Sequence, residues 1–216
     1  MPGPLRIAHR GMPRLVTENT LRSFELALEY GAQGIELDVH ATADGVIVVH
    51  HDPTLDGGAR ISATPLTALR RLAVDLATLD SVCGLIAGRA ELFVEIKGEG
   101  IEQIVEASLA SYDGPLAIHS FDHALIGRLA RSNPGRRLGI LVEEGSADFM
   151  NAMERSGALD LWPHHPLATP EMVESVHAIG GRVIPWTVNT PQDVARVRAL
   201  SVDGICTDDI RTLESA

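Results

Sequence analysis

Residues 34–52, GIELDVHATADGVIVVHHD, decide how the rest of the chain is read. Ile35, Leu37 and Val39 alternate with Glu36, Asp38 and His40, the two-residue period of a β-strand, so Glu36 and Asp38 share one face. Two carboxylates held that close repel each other and resist burial unless a cation or strong donors compensate. A hard divalent ion such as Mg²⁺ or Ca²⁺ meets that need with oxygen ligands, and the chain lacks the Cys and His spacing of a zinc site. A half-buried hairpin with its polar residues in water would show the same alternation.

Asp44-Gly45 between two apolar runs signals a hairpin. The connection is too short for a parallel crossover, so residues 46–49 should return antiparallel and bring His51 toward the carboxylates. An imidazole beside a metal-bound oxygen is suited to proton transfer.

Outward from this stretch the chain alternates. Strand 5–8 and helix 21–30 precede it, giving a parallel βαβ unit with strand 34–39. Helices are expected at 64–72 and 76–86, followed by strand 91–97, helix 101–111, strand 116–121, helix 123–132, strand 138–142 and helix 147–156. Strand 159–162, helix 170–179, strand 183–188, helix 191–200 and strand 204–207 complete the pattern, with a short closing helix. Eight strands separated by helices predict one α/β domain over residues 1–216, a (β/α)₈ TIM barrel with a β-hairpin excursion after the second strand. A doubly wound open sheet is the alternative, but no Gly-x-Gly-x-x-Gly follows the first strand.

The 29 acidic against 18 basic residues give a formal net charge of −11, which argues against a nucleic-acid groove and leaves a small anionic substrate open. Cys83 and Cys206 make neither a disulfide framework nor a metal cluster. No apolar run reaches secretory-signal or membrane-span length, so a cytoplasmic location without stable membrane insertion is the default expectation.

Chemistry in such barrels gathers at the C-terminal strand ends. His9 and Arg10, Glu36 and Asp38, Glu95 and Lys97, His119 and Ser120, Trp186, Thr187 and Asn189, and Thr207 and Asp208 all fall there. Taken singly, His9 reads as a turn residue, Trp186 as packing, and His119, His164 and His165 as satisfied polar groups near loops. Together they fit the glycerophosphodiester phosphodiesterases. The chain resembles that family in His9-Arg10-Gly11, Glu18-Asn19-Thr20, Glu36-Leu37-Asp38, Asp44-Gly45 through His51-Asp52, Glu95-Ile96-Lys97, Ser120-Phe121-Asp122, Trp186-Thr187-Val188-Asn189 and Asp203-Gly204 through Asp208, in order across nearly its whole length.

The resemblance implies a barrel hydrolase that cleaves a small phosphodiester to glycerol 3-phosphate and an alcohol with one Mg²⁺ or Ca²⁺. It implies that Glu36, Asp38 and Glu95 hold the ion, that His9 and His51 are the acid/base pair, and that Arg10 and Lys97 meet the phosphate. Asn19 and Trp186 occupy positions that shape the family's site. Two departures stand out: residues 56–60, DGGAR, replace an Arg-Thr-Thr-like segment, and Thr17 stands where Pro is common. A phospholipase acting on a lipid headgroup and a non-catalytic barrel binding a phosphorylated ligand are the competing readings, the latter showing stabilisation without turnover. A Schiff-base aldolase fits less well, because Lys97 stands near carboxylates rather than in an apolar pocket.

Overall fold

The computed structural model describes residues 3–144 and 148–214. Strand β1 (Leu5–His9), helix α1 (Leu21–Glu29) and strand β2 (Gly34–Ala41) form the first parallel unit, with Ile7 beside Gly34 and His9 beside Glu36. Strand β3 (Ile47–Val49) returns antiparallel against β2, Val39 opposite Val49. Between them Gly45 takes a φ of +77°, the left-handed turn conformation that the Asp-Gly signal implies.

Helices α2 (Leu66–Leu72) and α3 (Leu79–Ile86) fill the region before β4 (Glu91–Ile96). Then follow α4 (Glu102–Leu109), β5 (Leu116–Ser120), α5 (His123–Ser132), β6 (Arg137–Val142), α6 (Phe149–Ser156), β7 (Asp160–Pro163), α7 (Pro170–Ala178), β8 (Arg182–Val183), α8 (Pro191–Ala199) and β9 (Gly204–Thr207), and a 3₁₀ turn over Ile210–Leu213. Ala147, the first residue expected in the sixth of these helices, lies outside the described residues. Helix starts follow local chemistry. The side chains of Thr20, Thr78, Asp122, Thr169 and Thr190 each accept a first-turn backbone N–H, and Pro170 and Pro191 occupy first-turn positions where no N–H is needed.

The parallel strands run in the order β8-β7-β6-β5-β4-β2-β1-β9, with β3 off this path, paired to β2 and bridged on its other side to Thr78. Regular pairing of β8 covers two residues instead of the six expected, since Pro185 has no N–H to give. The backbone nevertheless closes the circle: Asp203 N donates to Val183 O (3.0 Å), Cys206 N to Pro185 O (3.0 Å) and Val188 N to Cys206 O (2.8 Å). The result is the α/β barrel with eight parallel strands and one hairpin arm. All eight residues of β2 are buried, so a hairpin with a wet face is not what forms. Helices cover the outward side and the opposite wall covers the inward side.

The two-residue period stacks the barrel interior in layers. In the middle lie Ile7, Phe93, Ala117, Leu141, Trp162, Ile184 and Cys206. Space there is tight: a Cβ on Gly34 would stand 2.7 Å from the Phe93 ring, and one on Gly204 would stand 2.8 Å from Ile7 Cδ1. Two residues toward the C-terminal ends come His9, Glu95, His119, Trp186 and Asp208.

Two residues the other way is a charged floor. Arg182 pairs with Asp160 (2.7 Å) and Glu91 (2.8 Å), and Arg137 also reaches Asp160 (2.7 Å), whose side chain is fully buried. Arg182→Ala strips compensation from two carboxylates inside the barrel. A loss of about 3–5 kcal/mol is expected, read as a lower denaturant midpoint. An unchanged midpoint would remove the floor from the list of stabilising features. Among the described residues no helix is long and apolar enough to cross a membrane.

Candidate active site

A cavity of about 280 Å³ opens at the C-terminal ends of the strands, lined by His9, Arg10, Glu36, His51, Glu95, Lys97, His119, Phe121, Trp186 and their neighbours. They come from several strand tips. His9 ends β1, Glu36 sits in β2, Glu95 near the end of β4 and His119 in β5, while His51 follows β3 on the hairpin arm. His40 fastens that arm: its Nε2 lies 3.0 Å from the His51 carbonyl oxygen. Burial is the main influence on the His40 ring and holds its pKa below the usual histidine value.

Two of the three carboxylates expected to hold an ion, Glu36 and Glu95, meet inside this cup beside His119, whereas Asp38 is not among the residues that line it. One ligand atom from each of Glu36, Glu95 and His119 lies within 4.8 Å of the others, and all three residues are buried. His119 does not behave as a satisfied polar group. It stacks on Trp162 at 4.3 Å with 14° between the rings, and among the described residues neither of its nitrogens has a hydrogen-bond partner. Its Nε2 is 3.7 Å from Glu36 Oε1. A lone His beside a loop carries no distinguishing spacing in the sequence; its place on β5, in register with Glu95 on β4, is the signal that singles it out.

Asp38 is fully buried and faces cations. Arg10 Nε stands 3.0 Å from its Oδ2, Asn19 donates to the same oxygen at 2.9 Å, and Lys97 Nζ is 3.4 Å from Oδ1. Burial opposes ionisation of Asp38, but Arg10, Lys97 and Asn19 outweigh it and hold the pKa below the usual carboxylate range. Lys97 also touches Glu95 Oε1 at 2.7 Å, so one ammonium bridges two carboxylates. Glu95 responds in the opposite direction: burial, together with repulsion from Asp38, pushes its pKa up to about 8. Asn19, at a φ of +56°, thus acts on Asp38 and contributes no surface to the cavity.

Both histidines of the expected pair are gripped at Nδ1. His9 Nδ1 is 2.6 Å from Asp208 Oδ1, and His51 Nδ1 is 2.8 Å from Asp52 Oδ1. For His9, burial disfavours the charged ring, but the Asp208 bond and the Glu36 charge prevail and raise its pKa above the usual value. Arg10 spends Nη1 on Glu18 (3.0 Å) and Nε on Asp38, and neither contact uses Nη2. Trp186 lines the cavity, donates Nε1–H to the Trp162 carbonyl (2.9 Å) and meets Phe121 edge to face at 5.6 Å.

The residues present suit a hard divalent ion. Among the described residues both His119 nitrogens are buried without a hydrogen-bond partner, and Glu95 Oε1 and Asp38 Oδ1 share the single Lys97 ammonium, an imbalance that a cation relieves. The donors are mainly carboxylate oxygen with one imidazole at hand, and no thiolate is among them.

Comparison with known proteins gives the same family as the residues. Residues 9–104 and 99–212 match the model of the glycerophosphoryl diester phosphodiesterase family. A glycerophosphodiester phosphodiesterase of Caldanaerobacter subterraneus subsp. tengcongensis is 34% identical over 232 residues, covering 97% of this chain and 96% of that protein. Among solved structures, an Oleispira antarctica phosphodiesterase in complex with the product sn-glycerol-3-phosphate has a TM-score of 0.89 at 25% identity, covering 99% of this chain and 96% of that one. The Thermotoga maritima glycerophosphodiester phosphodiesterase has a TM-score of 0.86 at 27% identity, covering 97% of each chain. By motif order, by barrel and by whole-length similarity, the chain belongs to the glycerophosphodiester phosphodiesterase family of phosphoric diester hydrolases.

Proposed function

We propose that this chain hydrolyses small glycerophosphodiesters to glycerol 3-phosphate and an alcohol, with one Mg²⁺ or Ca²⁺ bound by Glu36, Asp38 and Glu95 beside His119. The observation that carries this reading is the meeting of Glu36, Glu95, His9, Arg10 and Lys97 in one cup. A cavity of about 280 Å³ is at the small end for ligand sites, which favours a short diester over a lipid with acyl chains. The product complex of the Oleispira antarctica relative supports the same substrate class.

When bound, the ion supplies charge neutralisation for the phosphoryl group and lowers the cost of gathering three carboxylates. The chain's own residues do the rest. Arg10 and Lys97 orient the phosphate and stabilise the charge it gains as the bond to the leaving group lengthens. With Nδ1 engaged, each of His9 and His51 turns Nε2 to the reaction: one takes a proton from the nucleophile, and the other gives one to the departing alkoxide. Trp186 and Phe121 shield one side from water. The net charge of −11 speaks against nucleic acid as substrate, and two unpaired thiols, Cys83 and Cys206, suit the reducing cytoplasm as its compartment.

The test is to strip the protein with a chelator, restore each metal separately, and follow glycerol 3-phosphate release from glycerophosphocholine and glycerophosphoethanolamine, with lysophospholipids alongside. Turnover of the glycerophosphodiesters should fall at least about 10²-fold on stripping and return with Mg²⁺ or Ca²⁺. Activity indifferent to the chelator would refute the ion, and a preference for lysophospholipids would refute the substrate class.

A further inference from the structure

We propose that Asp208 is a positioning residue that locks His9 into the Nδ1–H tautomer, leaving its Nε2 lone pair turned toward Glu36 and the cavity. The inference rests on His9 being one of the acid/base pair. An ionised carboxylate only accepts, so in the neutral ring the proton between His9 Nδ1 and Asp208 Oδ1, 2.6 Å apart, belongs to the histidine. His9 Nε2 is then bare, 4.0 Å from Glu36 Oε2.

What distinguishes this pair is how firmly its carboxylate is held. Asn189 donates Nδ2–H to Asp208 Oδ2 at 2.6 Å, while its Oδ1 accepts from the Asp208 backbone N–H at 3.0 Å and from the Thr207 hydroxyl at 3.3 Å. Turning that amide over would set oxygen against carboxylate and NH₂ against two donors, so only one orientation fits. Asp208 therefore has both its backbone and its side chain anchored by one neighbour. The corresponding contact of His51 is looser: Asp52 is the next residue along the chain and its side chain is 68% exposed, so water competes for it.

Asp208→Asn keeps the shape but offers Nδ1 either an N–H or an oxygen, and the tautomer loses its single preference. Long-range ¹H–¹⁵N NMR of the ion-free wild-type protein, at a pH where the ring is neutral, should show His9 protonated at Nδ1 and bare at Nε2. In Asp208→Asn the Nε2–H form should appear, and kcat of the metal-loaded enzyme should fall at least about 10²-fold with KM within about threefold. Asn189→Ala, a milder change, should move both readouts the same way by a smaller amount, and it decides the matter if the first variant does not fold. A wild-type ring bare at Nδ1 would overturn the proposal. So would variants with wild-type tautomer and kcat while His9→Ala is inactive. Full turnover by His9→Ala would instead sink the acid/base reading, and the tautomer spectra would still judge the lock.

Discussion

Glu95→Gln is expected to lower turnover at least about 10³-fold, and in the ion-free protein to abolish a pH dependence of stability. The first effect follows from removing one of the charges proposed to hold the ion, while Gln still offers Lys97 an acceptor where Glu95 Oε1 stands at 2.7 Å. The second follows from the raised pKa. Burial and the Asp38 charge bring Glu95 from an ordinary 4.5 to about 8 in the fold, so between these values the folded chain holds a proton that the unfolded chain has released. Stability from this group is complete below about 4.5 and is lost as pH rises through about 8. Wild-type Tm in chelator should therefore fall relative to Glu95→Gln across that window. Added Mg²⁺ or Ca²⁺ should reverse the fall in the wild type only. Parallel Tm profiles for the two proteins would contradict the electrostatic account.

The other large effect belongs to the imidazoles. His9→Ala and His51→Ala should each cut kcat at least about 10²-fold, the low end of what a positioned acid or base contributes. The double variant should lose much less than the product of the two, because neither proton transfer is of use without its counterpart. Structural side effects should differ. His51 is about a third exposed and its loss should leave the unfolding free energy within about 0.5 kcal/mol of wild type, whereas His9→Ala strands the half-buried Asp208 carboxylate and should be measurably less stable. Steady-state kinetics with a thermal melt on each variant checks both statements. Near-normal kcat in both single variants would leave the acid/base assignments without support.

The chain's alternation made most of this architecture readable. Every expected strand is present, and the helices after Thr20 and Thr169 begin where expected and end one residue early, while the one expected from residue 76 begins at Leu79, behind the Thr78 cap, whose side-chain bond periodicity does not register. Contacts between distant residues were not readable. The Glu91–Arg182 pair spans 91 positions and His9–Asp208 spans 199, and no local pattern couples them. His119 escaped for a related reason. Its significance lies in what it lacks, partners for two buried nitrogens, and only the packed barrel shows that lack. For Asp38, the two-residue spacing from Glu36 told its face correctly but was silent about Arg10 and Asn19, which arrive from a turn held in left-handed geometry at φ +55° and +56°.

The hairpin arm gives the enzyme an adjustable half. His9 is rooted in a stave paired with strands on both sides, whereas His51 follows a ribbon that meets the barrel wall along one edge and is backed on the other by the segment before α3, through Val49 N to Ala77 O (2.9 Å) and the Val48–Thr78 bridge. Lengthening or trimming that ribbon, or the segment that follows it, would change the gap between the two imidazoles while the acidic cup kept its dimensions. Tailoring to bulkier or slimmer esters can thus proceed at one hinge point, with the machinery opposite left undisturbed.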